Sequence, residues 1–219
     1  MQAINDWIFV GYYTPDKNYR ELAERMQASV EKHGFACYIE ERPSAICNRP
    51  PPMPWVLNCA QCAAFCLEMY KRFSDRHIFY LDADAEMIRF PELLISSYLP
   101  DFDVGVHLSC GGTQVNSGSI IFRRTPGAEK VLIAWKKEQE KRCQKMITGA
   151  YSKPYREAWD QRVLQDVLKQ EEIEVLDLPW QYCGIISKED SKVPEGAIIA
   201  QYQASRETRY KMRSQKNEN

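Results

Sequence analysis

The sequence predicts an α/β fold organised around a buried central sheet, and three observations carry that expectation. Ile78-Phe79-Tyr80-Leu81 is an uninterrupted apolar run, the pattern of a strand covered on both faces. Trp7 to Gly11, a helical repeat at Leu22, Met26 and Val30, and Phe35 to Ile39 give a β-loop-α-β order. Strand-like and helix-like segments then alternate almost to the end of the chain.

At 219 residues the chain is long enough for one substantial core. The sequence places a single domain over residues 1–205 and a frayed basic tail over 206–219, where five Lys/Arg meet two acids. Net charge is −1, so composition gives no electrostatic case for nucleic acid or membrane binding. No apolar run is long enough to cross a bilayer, and Met1 to Asp6 lacks a signal-peptide pattern. The expectation is a cytoplasmic protein.

Taken in order, Tyr12-Tyr13-Thr14-Pro15-Asp16 breaks the first strand into a loop. The first helix ends before Gly34. Glu41 to Pro54 holds five prolines and reads as an extended rim segment. A helix is expected from about Asn58 to Phe73. It carries Cys59, Cys62 and Cys66 at i, i+3 and i+7, the spacing of one buried face; metal ligation by these thiols is the alternative. After the apolar run come a short helix at Pro91-Glu92-Leu93-Leu94 and a strand from Asp103 to Leu108. Cys110-Gly111-Gly112 is a break, and Asn116-Ser117-Gly118 leads into a strand over Ser119 to Phe122. Thr125 caps a helix with Pro126 at its first position and Val131, Leu132 and Trp135 inward. A further helix spans about Glu157 to Lys169, and late strands lie at Glu174-Val175-Leu176 and Ala197 to Ala200. His107 reads as a satisfied strand residue, His33 and His77 as surface positions, and Trp159 and Trp180 as core or as a sugar platform.

The apolar run ends in Asp82-Ala83-Asp84, and residues at i and i+2 of a strand face one side. Two convergent carboxylates at a strand's carboxyl end suit a hard divalent cation with open positions for phosphate oxygens. Turn formation is the plainer use of the same pair. The first loop carries no G-x-G-x-x-G, which argues against a dinucleotide site.

Taken together, Val10-Gly11-Tyr12-Tyr13-Thr14-Pro15, Trp55-x-x-Asn58, Tyr80-Leu81-Asp82-Ala83-Asp84, Asn116-Ser117-Gly118, Trp159-Asp160-Gln161, Leu178-Pro179-Trp180 and Gln203-Ala204-Ser205-Arg206 resemble the GT-A-type glycosyltransferases. The resemblance spans nearly the whole chain. It implies a GT-A-like, Rossmann-type α/β/α sandwich with a mixed, mostly parallel sheet. It implies transfer of a hexose from a nucleotide donor, a UDP-sugar, to a hydroxyl acceptor, with Mn²⁺ or Mg²⁺ as cofactor. Metal contact falls to Asp84, with Asp82 supporting and Gln201 on the late strand. Donor contacts fall to Tyr12, Tyr13, Thr14, Asn58, Asp82, Asn116, Ser117, Gly118, Gln161 and Arg206. Asp160 becomes the sugar-binding or general-base carboxylate. A glycan, a protein and a modified DNA base all remain open as acceptor.

Two departures stand out. Cys62 occupies the neighbourhood where related proteins carry a Lys, and Gln201 stands where many carry a metal-binding His. Both suit a second reading, a sugar-nucleotide-binding pseudoenzyme. A third, a haloacid-dehalogenase-type phosphatase, shares Asp-x-Asp but expects Thr or Val where this chain has Glu86.

Overall fold

The computed structural model of the protein describes residues 4–15, 19–45, 53–96, 99–150, 154–186 and 192–202. The basic tail and Arg206 lie outside the described residues. A six-stranded sheet has the order β2-β1-β3-β6-β5-β7. Its strands are β1 (Trp7–Tyr13), β2 (Ala36–Glu41), β3 (His77–Leu81), β5 (Val104–Leu108), β6 (Gln114–Phe122) and β7 (Val175–Asp177). All pairings are parallel except those of β6 with β3 and β5, so the sheet is mixed and mostly parallel as expected. A second sheet, β4 (Ala85–Met87), β9 (Ile199–Gln201) and β8 (Gly184–Ile185), pairs antiparallel at β4–β9 and parallel at β8–β9.

The helices are α1 (Tyr19–Glu31), α2 (Met53–Arg72), α3 (Glu92–Ile95), α4 (Ser109–Gly112), α5 (Pro126–Ile147), α6 (Pro154–Glu157) and α7 (Asp160–Gln170). Strand alternation divides the core into two layers. Ile8, Val10 and Tyr12, with Ile78, Tyr80, Ile120 and Phe122, pack beneath α2, α5 and α7. Trp7, Phe9, Phe79, Leu81 and Ile121 face the other way, onto Met26 and Val30 of α1 and the small sheet. Gly11 lets α1 sit close, since a Cβ there would meet Met26 Cε at 2.6 Å and the Leu81 carbonyl at 2.9 Å. The Thr125 hydroxyl accepts the Ala128 N–H at 3.2 Å, the cap expected before Pro126. No helix among the described residues is long and apolar enough to cross a membrane.

Several local expectations change. β1 runs on through Tyr12 and Tyr13, because pairing with β2 continues to Tyr13↔Glu41. α2 starts at Met53, so Pro54 belongs to its first turn, where a missing N–H costs nothing. Asn116, Ser117 and Gly118 lie inside β6 rather than before it. The late strand is shifted to Ile199–Gln201. His77 is half-buried: its Nδ1 accepts the Arg124 N–H at 3.0 Å and its ring lies 4.8 Å from that of Trp7. His33 is also half-buried, with its ring against Phe90. His107 is satisfied as expected, its Nδ1 2.9 Å from the Leu178 carbonyl. Trp180 is 43% exposed and so belongs to neither core nor cavity wall.

Candidate active site

β3 ends at Leu81, so Asp82 and Asp84 do not converge by strand alternation. The chain turns instead: the Ala85 N–H donates to the Asp82 carbonyl at 2.9 Å, and Ala85 starts β4. The Tyr202 N–H holds the turn by donating to the Asp84 carbonyl at 3.2 Å. Both side chains reach one cavity of about 280 Å³. It opens at the carboxyl ends of β1, β3 and β5 and the amino end of β6, the edge at which open α/β sheets gather ligands.

β1 and β3 contribute Tyr12 and Tyr80 to the wall, while β6 contributes Gln114, Asn116, Ser117 and Gly118. α2 supplies Trp55 and Cys59, and the segment entering α7 supplies Trp159, Asp160 and Gln161. Ser109, Ile185 and Gln201 complete it. The late strand lies where expected: Ala85 pairs with Gln201 across β4–β9. The Gln201 amide donates to the Gly118 carbonyl and to the Ser119 hydroxyl, each at 2.9 Å. That leaves Oε1 on the cavity side, 3.1 Å from where a Gly118 Cβ would stand, with Asp82 Oδ2 3.2 Å from the same point. A Cβ at this position would oblige both side chains to give by a few tenths of an ångström.

Two buried carboxylates, Asp84 and Asp160, stand with the half-buried Asp82 on this cavity. Burial, then the charges of Asp84 and Asp160, push the Asp82 carboxyl well above the usual range, against the hydrogen bond from the Tyr80 hydroxyl at 2.8 Å. Burial pushes the Asp160 carboxyl up to about 6, offset by the Ser117 hydroxyl and by the N–H groups of Asp160 and Gln161 at the head of α7. No Lys, Arg or His stands in the cavity wall among the described residues. Burial, then Cys66 with its sulfur 3.9 Å away, pushes the Cys62 thiol well above its ordinary value, and the charges of Asp160 and Asp82 add to the rise. Cys62 thus supplies no positive charge to the cluster.

The donor set of Asp82, Asp84 and Gln201 Oε1 is all oxygen, which fits a hard divalent cation such as Mn²⁺ or Mg²⁺. No group of three or more His, Cys, Asp or Glu side chains forms a metal cluster among the described residues. The fit therefore rests on two carboxylates and an amide.

The chain matches the crystal structure of a glycosyltransferase involved in the glycosylation of the major capsid of PBCV-1. The TM-score is 0.62 at 11% identity, over 94% of this chain and 98% of that one. The chain has a glycosyltransferase fold. The glycosyltransferase GlyE of Streptococcus pneumoniae TIGR4 matches with a TM-score of 0.53 at 15% identity, over 91% of this chain and 55% of GlyE. No protein-family model and no curated protein matches the sequence.

Within this glycosyltransferase fold the anticipated residues divide. Tyr12, Asp82, Asp84, Asn116, Ser117, Gly118, Asp160, Gln161 and Gln201 reach the cavity. Tyr13, Thr14 and Asn58 do not line it. Alternation turns Tyr13 away from Tyr12, and its hydroxyl donates to Glu41 at 3.0 Å. Thr14 is buried. Asn58 is a scaffold residue, its Oδ1 accepting the Ala45 N–H at 2.6 Å and its carbonyl the Tyr12 hydroxyl at 2.9 Å. Trp55, Cys59, Tyr80, Ser109, Gln114 and Ile185 were not singled out by sequence as site residues. Trp55 and Cys59 share an i, i+4 face of α2, a signal hidden by the proline run before it.

Proposed function

We propose that this protein is a metal-dependent glycosyltransferase that moves a hexose from a nucleotide donor, a UDP-sugar, to a hydroxyl acceptor. The observation that carries the reading is charge: Asp82, Asp84 and Asp160 share a cavity whose described wall holds no cation, inside a glycosyltransferase fold. A sugar diphosphate brings further negative charge to that cavity and needs a cation to enter. Mn²⁺ or Mg²⁺ bound there supplies Lewis-acid stabilisation of the leaving diphosphate. Asp82, Asp84 and Gln201 Oε1 would hold it.

The chain's own residues do the rest. Gly118, with no side chain, lets Asp82 and Gln201 come together over its backbone. Asp160, ionised at neutral pH and fixed by Ser117, accepts the proton of the attacking hydroxyl. Burial raises its basicity toward the working pH, which favours that transfer.

The experiment is a screen of UDP- and GDP-sugars for metal-dependent release of nucleoside diphosphate, with Asp84→Asn as control. Asp84→Asn keeps size and removes charge, and a rate loss on the order of 10² to 10³ is expected for losing one such group. A variant retaining more than half the activity would remove Asp84 from the metal shell. UDP binding with no turnover of any donor would make the protein a binder, the reading favoured by Gln201 and Cys62.

A further inference from the structure

The cavity wall changes character from one side to the other. Oxygen ligands come from the ends of β3 and β9, whereas α2 and the entry to α7 bring two tryptophans. The Trp55 and Trp159 rings meet edge to face, their centroids 5.9 Å apart at 63°. Both are half-buried and both line the cavity. We propose that this aromatic corner is the acceptor subsite and that the acceptor is a neutral saccharide, an inference that rests on the transfer reaction proposed above.

Three features point to that class. A pyranose offers an apolar C–H face to an aromatic ring while its rim stays polar, and the tryptophans match the first requirement. Gln161 and Gln114 line the same cavity, and neutral amides both donate to and accept from hydroxyls. The described wall holds three carboxylates and no Lys, Arg or His, so a phosphate-bearing acceptor, DNA included, would add repulsion.

The chain order places the subsite correctly for the chemistry. Trp159 immediately precedes Asp160, so a sugar resting on Trp159 has its hydroxyls next to the proposed base. Asp160 is tied through Ser117 to β6, whose Gly118 faces Asp82 and Gln201. The aromatic corner and the oxygen-rich end therefore meet at Asp160.

The test combines saturation-transfer NMR, using a panel of neutral mono- and disaccharides on the whole protein, with acceptor kinetics. Wild-type protein should transfer saturation to a saccharide ring, and Trp159→Leu should raise the saccharide KM by about tenfold, the scale of one lost aromatic contact, with a smaller change in kcat. Trp159→Phe keeps an aromatic face and should recover most of that loss, which a merely structural role would not predict. Should Trp159→Leu fail to fold, the Phe variant and the wild-type spectra still decide. Transfer to DNA or to an unglycosylated peptide in place of saccharides, or an unchanged KM in Trp159→Leu, overturns the subsite. Donor turnover in water with no saccharide product and no saturation transfer removes the subsite and keeps the transfer reaction. Saturation transfer without turnover of any donor supports the subsite and removes the reaction.

Discussion

The Gly118 carbonyl oxygen accepts two hydrogen bonds, one at 2.9 Å from the Gln201 side chain and one at 3.1 Å from the Asp82 backbone N–H. One peptide group of β6 thus fixes both the start of the Asp-x-Asp turn and the last residue of β9. The carbonyl has two lone pairs, and both are used. Residues 82, 118 and 201 become one rigid unit.

Gly118→Ala follows from that unit. A Cβ there would stand 3.1 Å from Gln201 Oε1 and 3.2 Å from Asp82 Oδ2, so both must shift. Overpacking of this kind costs on the order of 1–3 kcal/mol. Donor turnover should fall more than stability does, because the displaced atoms are the proposed metal donors. Chemical denaturation alongside turnover checks this; full turnover in a folded variant would contradict it.

Transfer should depend on pH through Asp160. The folded carboxyl titrates near 6, so the base is ionised above that value and activity should fall as pH drops through it. Ser117→Ala removes a hydrogen bond that favours the ionised form, which moves the acid limb to higher pH. A kcat/KM profile of the two proteins decides, and superimposed limbs would exclude Ser117 from that role.

Gln201→His tests the metal shell. Gln201 already spends its amide N–H groups on Gly118 and Ser119, so an imidazole has ready partners for one ring nitrogen and can present the other. Neutral imidazole is a better Mn²⁺ ligand than an amide oxygen. Calorimetry in the presence of UDP should show tighter Mn²⁺ binding in the variant. Equal affinities would place residue 201 outside the shell.

His77 predicts an acid-stability effect of definite sign. Burial first, then Arg123 and Arg124, lower its pKa from 6.5 to about 4, against the charge of Asp6. The unfolded chain therefore binds a proton that the folded chain refuses, and stability is lost as pH falls from about 6.5 toward 4. Asp160 acts oppositely in an overlapping window, since its raised carboxyl favours folding as pH falls through about 6. His77→Asn keeps an acceptor for the Arg124 N–H and cannot titrate. Its melting temperature should decline less than that of wild type between pH 6.5 and 4.

Much of this protein was legible in the sequence because it depends on local pattern. Ile78 to Leu81 had to be a buried strand, since four apolar residues in extended backbone need cover on both faces. Thr125-Pro126 had to open a helix, since both residues favour its first turn. The carboxylates at 82, 84 and 160 and the amide at 201 were nameable from residue type and order. What only the tertiary structure decided was which of these meet, and how. Asp82 and Asp84 share a cavity through a turn, not a strand period. Tyr12 and Tyr13, adjacent in sequence, part company because pairing with β2 extends β1 by two residues. Trp55 joins Trp159 because α2 packs against α7, a contact between positions 104 residues apart that no local period encodes. Local propensity is set by neighbours in the chain, whereas a site is set by which strand ends and helix heads share one edge of the sheet.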